Sequence, residues 1–185
     1  MDDYCKGIIY ATGHMVIEND KPYLVVRNSD PWYVQRVSKY SRNKMFKSGY
    51  KEKHGGVEQW IIKARDITSI PCRSEINSVS DFCRAYIEIH GFLDFSKRKN
   101  NKRKLRLRIY GKENIIHFIN VSLPAKEKKI QYICNSLDNR YTGKTCAIYY
   151  QDEKEIKNIL YFIDGEPRNA KIWDKWKNTI ESIEL

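Results

Sequence analysis

Hydrophobic residues follow two different spacings along the chain. Over residues 4–12 and 81–90 they recur at the spacing of an α-helix, and a glycine directly follows each segment. Beyond each glycine, apolar and polar residues alternate as in β-strands, with turn residues between the runs. The same order of spacings therefore occurs twice. It predicts a duplicated unit in which a helix precedes two strand hairpins that are separated by a second helix.

The first copy is predicted to contain four strands and two long helices. After the helix over residues 4–12, two strands are predicted at 14–18 and 22–27, a second helix at 32–40, and two further strands at 45–51 and 57–64. A short helix reaching about Ile70 completes this copy. Gly13 is expected to take the left-handed backbone conformation that ends many helices.

The second copy repeats this order and ends in two helices. After the helix over residues 81–90, strands are predicted at 92–96, 105–110, 130–136 and 145–150. Helices are predicted at 112–121, between the two strand pairs, and at 152–163 and 167–183. Residues 71–80 contain Ser, Asn and Pro and are expected to link the copies. The prediction is an α+β fold of two tandem αββαββα repeats, with domains at residues 1–77 and 78–185.

The charge balance indicates a polyanionic partner. The chain of 185 residues has 34 Lys and Arg against 23 Asp and Glu, a formal charge of +11, and such an excess is typical of nucleic-acid-binding proteins. The sequence has no apolar stretch near the roughly 20 residues that a spanning helix needs, and its first residues are acidic, unlike a secretory signal. We therefore expect a cytoplasmic, nucleoid-associated monomer without a membrane partner.

Cysteine and histidine spacing gives no sign of a metal site. The 5 cysteines are scattered without a C-x-x-C pair, and the 4 histidines show no helical i, i+4 pairing. A disulfide framework or zinc site is therefore not indicated, and we expect no cofactor.

One strand carries the strongest candidate for a binding surface. In residues 104–110, Leu and Ile alternate with Lys104, Arg106, Arg108 and Tyr110. Since successive strand residues face opposite sides of a sheet, the apolar set is expected to face a core and the polar set a ligand. Arginine paired with guanine is the commonest base-specific contact in DNA complexes.

Other basic or polar residues extend this candidate surface. The remaining predicted contacts are Arg27, Lys47, Lys51, Lys99 and Gln131. Arg27 shares an alternating face with Tyr23 and Val25. Lys99 belongs to a basic hairpin tip that is suited to phosphate contact.

Two nine-residue segments resemble a known signature. Residues 5–13 (CKGIIYATG) and 83–91 (CRAYIEIHG) are similar to the signature helix of the LAGLIDADG homing endonucleases in their single-chain, two-repeat form, and residues 105–113 and 170–176 resemble its flanking passages. The resemblance covers essentially the whole chain. It implies that the two signature helices pack together through small residues at a pseudo-two-fold axis. It also implies a saddle of curved antiparallel sheets that binds double-stranded DNA.

The resemblance fails at the residues that perform cleavage. In that family an acid before the last glycine of each signature binds divalent metal, but here Thr12 and His90 occupy these positions. A hydroxyl and an imidazole do not supply the anionic oxygens that Mg²⁺ prefers. The sequence therefore implies no catalytic residue and no metal ligand, and suggests a DNA-binding protein that has lost cleavage and regulates transcription.

Three alternatives stay open at this point. The chain could be an active endonuclease that holds Mg²⁺ through unusual ligands, of which Asp94 is a candidate. Glu88 is a poorer one because a two-residue offset turns it about 200° from His90 around the helix. It could instead be an RNA-binding maturase, with structured RNA as its less favoured partner. Finally, it could be a basic interaction module without a nucleic-acid role.

Overall fold

Helix α1 (Asp3–Thr12) leads directly into a strand. In the computed structural model, which describes residues 1–48, 58–97, 103–133 and 145–182, α1 begins where the Asp2 carboxylate accepts a hydrogen bond from the Cys5 amide at 2.7 Å. At its end Gly13 is extended, with φ −88° and ψ 151°, so the left-handed conformation predicted for Gly13 is wrong. The glycine serves close packing instead, because a Cβ there would lie 2.6 Å from the Ile9 carbonyl oxygen.

Four antiparallel strands follow α1 and form the first sheet. The elements are β1 (Gly13–Glu18), β2 (Lys21–Asn28), α2 (Pro31–Ser41), β3 (Phe46–Lys47) and β4 (Trp60–Ala64), and the strand order is β1-β2-β4-β3. Asn19 and Asp20 join β1 to β2 with φ of 51° and 59°, the positive values that a tight hairpin turn requires. Asp30 caps α2 by accepting from the Trp32 amide at 3.0 Å. The predicted helix–hairpin–helix–hairpin order is confirmed.

The short helix predicted to reach Ile70 does not form. Residues 65–66 make a turn instead, in which the Ile67 amide donates to the Ala64 carbonyl at 3.2 Å and the Ile67 carbonyl accepts from the Leu24 amide at 3.0 Å. The backbone groups that a helix would need are therefore engaged at the sheet. A 3₁₀ turn at Arg73–Glu75 lies inside the segment predicted as a linker.

The second half repeats the arrangement. Its elements are α3 (Val79–His90), β5 (Gly91–Lys97), β6 (Arg103–Lys112), α4 (Glu113–Ser122), β7 (Gln131–Ile133), β8 (Thr145–Tyr150), α5 (Glu153–Phe162) and α6 (Ala170–Glu181). The second sheet is again antiparallel, in the order β5-β6-β8-β7. Within the described residues the chain thus has six α-helices and two four-stranded sheets, and the predicted α+β two-repeat fold is confirmed. No helix among them is long and apolar enough to cross a membrane.

The chain separates into two compact units, Met1–Ala85 and Tyr86–Leu185. The division falls inside α3, whereas the boundary expected from the sequence lies just before this helix, after residue 77. The first part of α3 thus packs with the first unit.

Each unit has its own core on one face of its sheet. In the first unit, α1 and α2 cover fully buried residues of β2 and β4: Leu24, Val26, Ile62 and Ala64. Val34 and Val37 of α2 are also fully buried. In the second unit, α4 and α5 cover buried residues of β6 and β8: Leu107, Ile109, Cys146 and Ile148. The predicted inward side of residues 104–110 is therefore confirmed.

Within the first unit, α1 and the start of α3 approach each other at backbone distance. A Cβ at Gly7 would lie 2.4 Å from the Phe82 carbonyl oxygen and 2.8 Å from the Ala85 Cβ. The Tyr10 and Phe82 rings meet edge to face with centroids 5.3 Å apart. The small residues predicted to allow close helix packing therefore do so at Gly7 and Ala85.

A buried ion pair fastens the segment before α3 to α1. Lys6 Nζ donates to Asp3 Oδ1 at 2.8 Å and also to the Glu75 carbonyl, while Asp3 Oδ2 accepts from the amides of Asn77 (3.0 Å) and Ser78 (2.6 Å). Burial alone would raise the pKa of Asp3, but these hydrogen bonds outweigh it and lower the pKa. The expected linker is therefore anchored at its end.

The variant Gly7→Ala is expected to lower the free energy of unfolding by about 1–3 kcal/mol, because the new methyl group overpacks the contact with Phe82. This loss exceeds the gain in helix propensity that alanine brings. Urea unfolding measures it. The control is Asn158→Ala at an exposed position of α5, which should leave the free energy of unfolding unchanged or raise it. If Gly7→Ala is as stable as the wild type, the close contact between Gly7 and Phe82 is contradicted.

Candidate nucleic-acid interface

The outer side of the second sheet brings most of the predicted contacts of that repeat together. Lys104, Arg106, Arg108 and Tyr110 alternate with the buried residues of β6 and are partly exposed. Cross-strand pairing adds neighbours to the same side, because directly opposite residues of an antiparallel pair share a face. We call this surface the basic sheet face; its members on the other strands are Phe92, Asp94, Ser96, Gln131 and Tyr149.

The register places each partner. Arg106 pairs with Asp94, and Arg108 lies between Phe92 on β5 and Tyr149 on β8. Gln131 pairs with Ala147, which in turn pairs with Tyr110, so Gln131 joins the basic sheet face. Lys104 stands opposite Ser96 nearer the hairpin end.

Asp94 binds both arginines. Arg106 donates to it through Nε (3.0 Å, to Oδ1) and Nη2 (3.3 Å, to Oδ2), and Arg108 donates through Nη2 to Oδ2. The hydrogen bond with Asp94 raises the pKa of Arg106, so this guanidinium stays charged. Sequence reasoning considered Asp94 for a metal and missed this contact, which depends on the β5–β6 register.

Aromatic rings enclose Arg108. Its Nη1 donates to the Tyr110 hydroxyl at 3.0 Å, and its guanidinium carbon lies 5.7 Å from the Phe92 ring centroid and 5.8 Å from that of Tyr110, within the range of cation–π attraction. Tyr110 packs edge to face on Phe92 and Tyr149. Burial raises the pKa of Tyr149, and so does the hydrogen bond between its hydroxyl and that of Tyr110. Arg108 is therefore held on several sides.

Among the described residues, the outer side of the first sheet combines cations with an apolar cluster. Arg27 is exposed, but Tyr23 and Val25 beside it are buried with Ile61 in an apolar cluster, so these two residues do not offer a contact surface. Lys63 pairs with Val25 and is an exposed cation on the same face as Arg27. Sequence reasoning missed Lys63, although alternation over Trp60–Ala64 could have indicated it.

Lys47 lies on the other face of this sheet. It pairs with Trp60, whereas Arg27 pairs with the neighbouring Ile61, and adjacent strand residues face opposite sides. Its Nζ lies 3.3 Å from a Glu58 carboxylate oxygen and 5.1 Å from the Trp60 ring centroid. The structure therefore does not bring Lys47 together with Arg27. Lys51 and Lys99 lie outside the described residues.

Thr12 and His90 are integrated into their own helices. The Thr12 hydroxyl donates to the Ile8 carbonyl at 2.9 Å, and the His90 ring packs against Tyr86 with centroids 5.1 Å apart. Tyr86 is buried and donates to the Tyr110 carbonyl at 3.1 Å. A Cβ at Gly111 would lie 1.9 Å from the Tyr86 hydroxyl, so glycine is required there.

Both carboxylates that were considered as substitute metal ligands have structural partners. Glu88 is 3% exposed and accepts from Trp173 Nε1 at 2.7 Å and from the Asn169 amide at 3.2 Å, which fixes the start of α6. Asp94 is bound to the two arginines. In the described part of the chain, no group of three or more His, Cys, Asp or Glu side chains is placed to hold a metal ion.

Comparison with solved structures identifies the class of fold. The LAGLIDADG homing endonuclease I-GzeII in complex with its DNA target superposes with a TM-score of 0.62 at 9% identity, over 98% of this chain and 90% of that one. The meganuclease I-AabMI bound to uncleaved DNA gives 0.64 at 9% identity, over 100% and 92%. The N-terminal LAGLIDADG domain of DUF199/WhiA gives 0.52 at 15% identity, over 89% and 82%.

The chain therefore has the LAGLIDADG fold. At these identities the likeness shows the fold alone. No protein-family model matches the sequence, and no curated protein matches it significantly.

The variant Glu88→Gln is expected to lower the free energy of unfolding by about 1–3 kcal/mol, since it weakens two charge-assisted hydrogen bonds at a buried site. Urea unfolding followed by tryptophan fluorescence measures the loss. The matched control is Glu153→Gln, which removes a half-exposed pair with Lys157 on α5 and should change stability little. Equal losses in the two variants would refute a structural role for Glu88.

Proposed function

We propose that this protein binds double-stranded DNA with a preference for particular sequences and does not cleave it. The observation that carries the proposal is the basic sheet face, where Arg106 and Arg108 project side by side from β6 with side chains 24% and 25% exposed. A twisted antiparallel sheet is one of the elements that enter the DNA major groove. The partly exposed arginines of the basic sheet face can donate there to base edges.

The position of the arginines favours base reading over phosphate contact alone. Both guanidinium groups are held by Asp94, and Arg108 also by Tyr110. A side chain held by its neighbours loses little conformational freedom on binding and keeps its orientation. Long, unrestrained lysines supply charge but little orientation. The sheet thus supports specificity, and the formal charge of +11 supports affinity.

The comparisons support duplex DNA as the partner. The I-GzeII structure contains a DNA target, and I-AabMI is bound to uncleaved DNA. This chain has the same fold over nearly all of its length.

The contact residues that we propose on the first sheet are Arg27 and Lys63, and those on the second are Lys104, Arg106, Arg108 and Gln131.

The loss of cleavage follows from residue identity. Thr12 and His90 stand where the resembling family has metal-binding acids, and the hard anionic oxygens that position Mg²⁺ are replaced by a hydroxyl and an imidazole. Binding depends on many residues and can outlast the loss of two. The function we propose is a monomeric regulator of transcription that acts at the nucleoid without a cofactor.

A selection from a random duplex pool is expected to yield a defined sequence. Arg106→Gln and Arg108→Gln should then lose preference at individual base pairs, because each removes one directional donor, whereas Lys99→Gln should weaken all duplexes alike. Lys154→Gln, at an exposed position of α5, is the control for loss of charge. Recovery of no preferred sequence, or stronger competition by structured RNA than by duplex DNA, would overturn the proposal.

The protein is expected to leave the selected duplex intact when it is incubated with Mg²⁺ or Mn²⁺, because the signature carboxylates are absent. Gel analysis of nicked and linear products measures this. Nicking that disappears in Asp94→Asn or Glu88→Gln would instead establish an endonuclease with unusual ligands. Nicking that persists in both variants would point to a contaminant and is controlled by a mock purification.

A further inference from the structure

Asp94 is the one acidic residue of the basic sheet face among the residues that the structure describes there. Its side chain is 36% exposed, more than those of the two arginines it binds. An exposed carboxylate on a surface that binds DNA opposes phosphate, since like charges repel at short range. The residue therefore needs an explanation beyond general affinity for nucleic acid.

Asp94 uses one edge of the Arg106 guanidinium. Its two oxygens accept from Nε at 3.0 Å and from Nη2 at 3.3 Å. Among the described residues Nη1 of Arg106 has no hydrogen-bond partner. The edge formed by Nη1 and Nη2 is therefore turned away from Asp94. Each of these two nitrogens has a hydrogen that can be donated to another acceptor.

Asp94 also limits what Arg108 can do. Its Oδ2 accepts from Nη2 of Arg108, while Nη1 of Arg108 donates to the Tyr110 hydroxyl at 3.0 Å. Both terminal nitrogens thus already have partners, and the aromatic rings of Phe92 and Tyr110 restrict the guanidinium. Each terminal nitrogen of Arg108 keeps a second hydrogen and can still donate a single bond to a base. Of the two arginines, however, Arg106 is the one better placed to bind one base through both terminal nitrogens.

We propose that Asp94 determines sequence specificity, by orienting Arg106 toward a guanine and by lowering the affinity of this face for duplexes of other sequence. The inference rests on the proposed DNA-binding function. Guanine presents O6 and N7 side by side in the major groove, and a planar guanidinium edge donates to both. Phosphate offers the same arginine a stronger charge but no sequence information. The Asp94 carboxylate reduces the charge on the arginine pair and so weakens the competing phosphate contact.

The variant Asp94→Asn tests this inference. It keeps the size of the side chain and removes the charge. The ratio of affinities for the selected duplex and a scrambled duplex is expected to fall about fivefold or more, through loss of one bidentate base contact and a gain in affinity for the scrambled duplex. The salt dependence of scrambled-duplex binding is expected to steepen by up to about 0.9 in the log–log slope, the value for one additional phosphate contact.

Glu153→Gln is the matched control, because it changes the net charge by the same amount at a surface position on α5. It should leave the ratio of affinities unchanged. Arg106→Lys is the second variant: it retains the charge but cannot donate from a planar edge, so it should lose preference at a single G·C pair while binding the scrambled duplex as the wild type does. Urea unfolding verifies that each variant is folded.

The outcomes separate the two proposals. A wild-type protein that binds no duplex overturns the proposed function and this inference with it. A wild type with sequence preference that persists unchanged in Asp94→Asn overturns the role of Asp94 and leaves DNA binding intact. If Asp94→Asn does not fold, Arg106→Lys decides: retained preference for guanine overturns the inference, and its loss at one base pair supports it.

Discussion

The close approach of α1 to the first part of α3 is the contact on which the first unit depends. A side chain at Gly7 would collide with the Phe82 carbonyl oxygen, so two backbones are in direct contact there. Because α1 continues without a loop into β1, the place of the helix also sets where the first sheet begins. The α3–β5 junction at Gly91 is built in the same way, with the Ile87 carbonyl too near for a Cβ. The direction of each leading strand therefore follows from the helix before it.

Helices cover one side of each sheet. The chemical character of the other side depends on which side chains the strand register brings next to each other. In the second sheet these neighbours are a carboxylate and several aromatic rings, and they hold two arginines in fixed positions. In the first sheet the corresponding side is apolar around Tyr23, and its cations among the described residues include Arg27 and Lys63. The two repeats share a fold but present different chemistry, so the oriented arginines belong to the second.

Much of the fold could be predicted from the sequence because helix and strand periodicities are local. The strand over Thr145–Tyr150 has the bounds that its pattern predicts. In residues 104–110 the apolar side chains face the core and the polar ones face outward, as their alternation indicates. Prediction failed where the deciding partner is distant. The turn at Ile67 exists because the Leu24 amide binds its carbonyl. Gly13 has an extended backbone rather than a left-handed one, and the nearby Ile9 carbonyl excludes a side chain there.

The sequence by itself determined the repeated order of elements, the inward side of the main strand, the excess of positive charge and the absence of acids at positions 12 and 90. These properties depend on residue type and on spacing within one segment. The tertiary structure alone decided that Asp94 binds Arg106 and Arg108, that Lys47 and Arg27 face opposite ways, and that Glu88 holds α6. Each of these depends on strand register or helix packing, which brings together residues whose separation along the chain carries no information about contact.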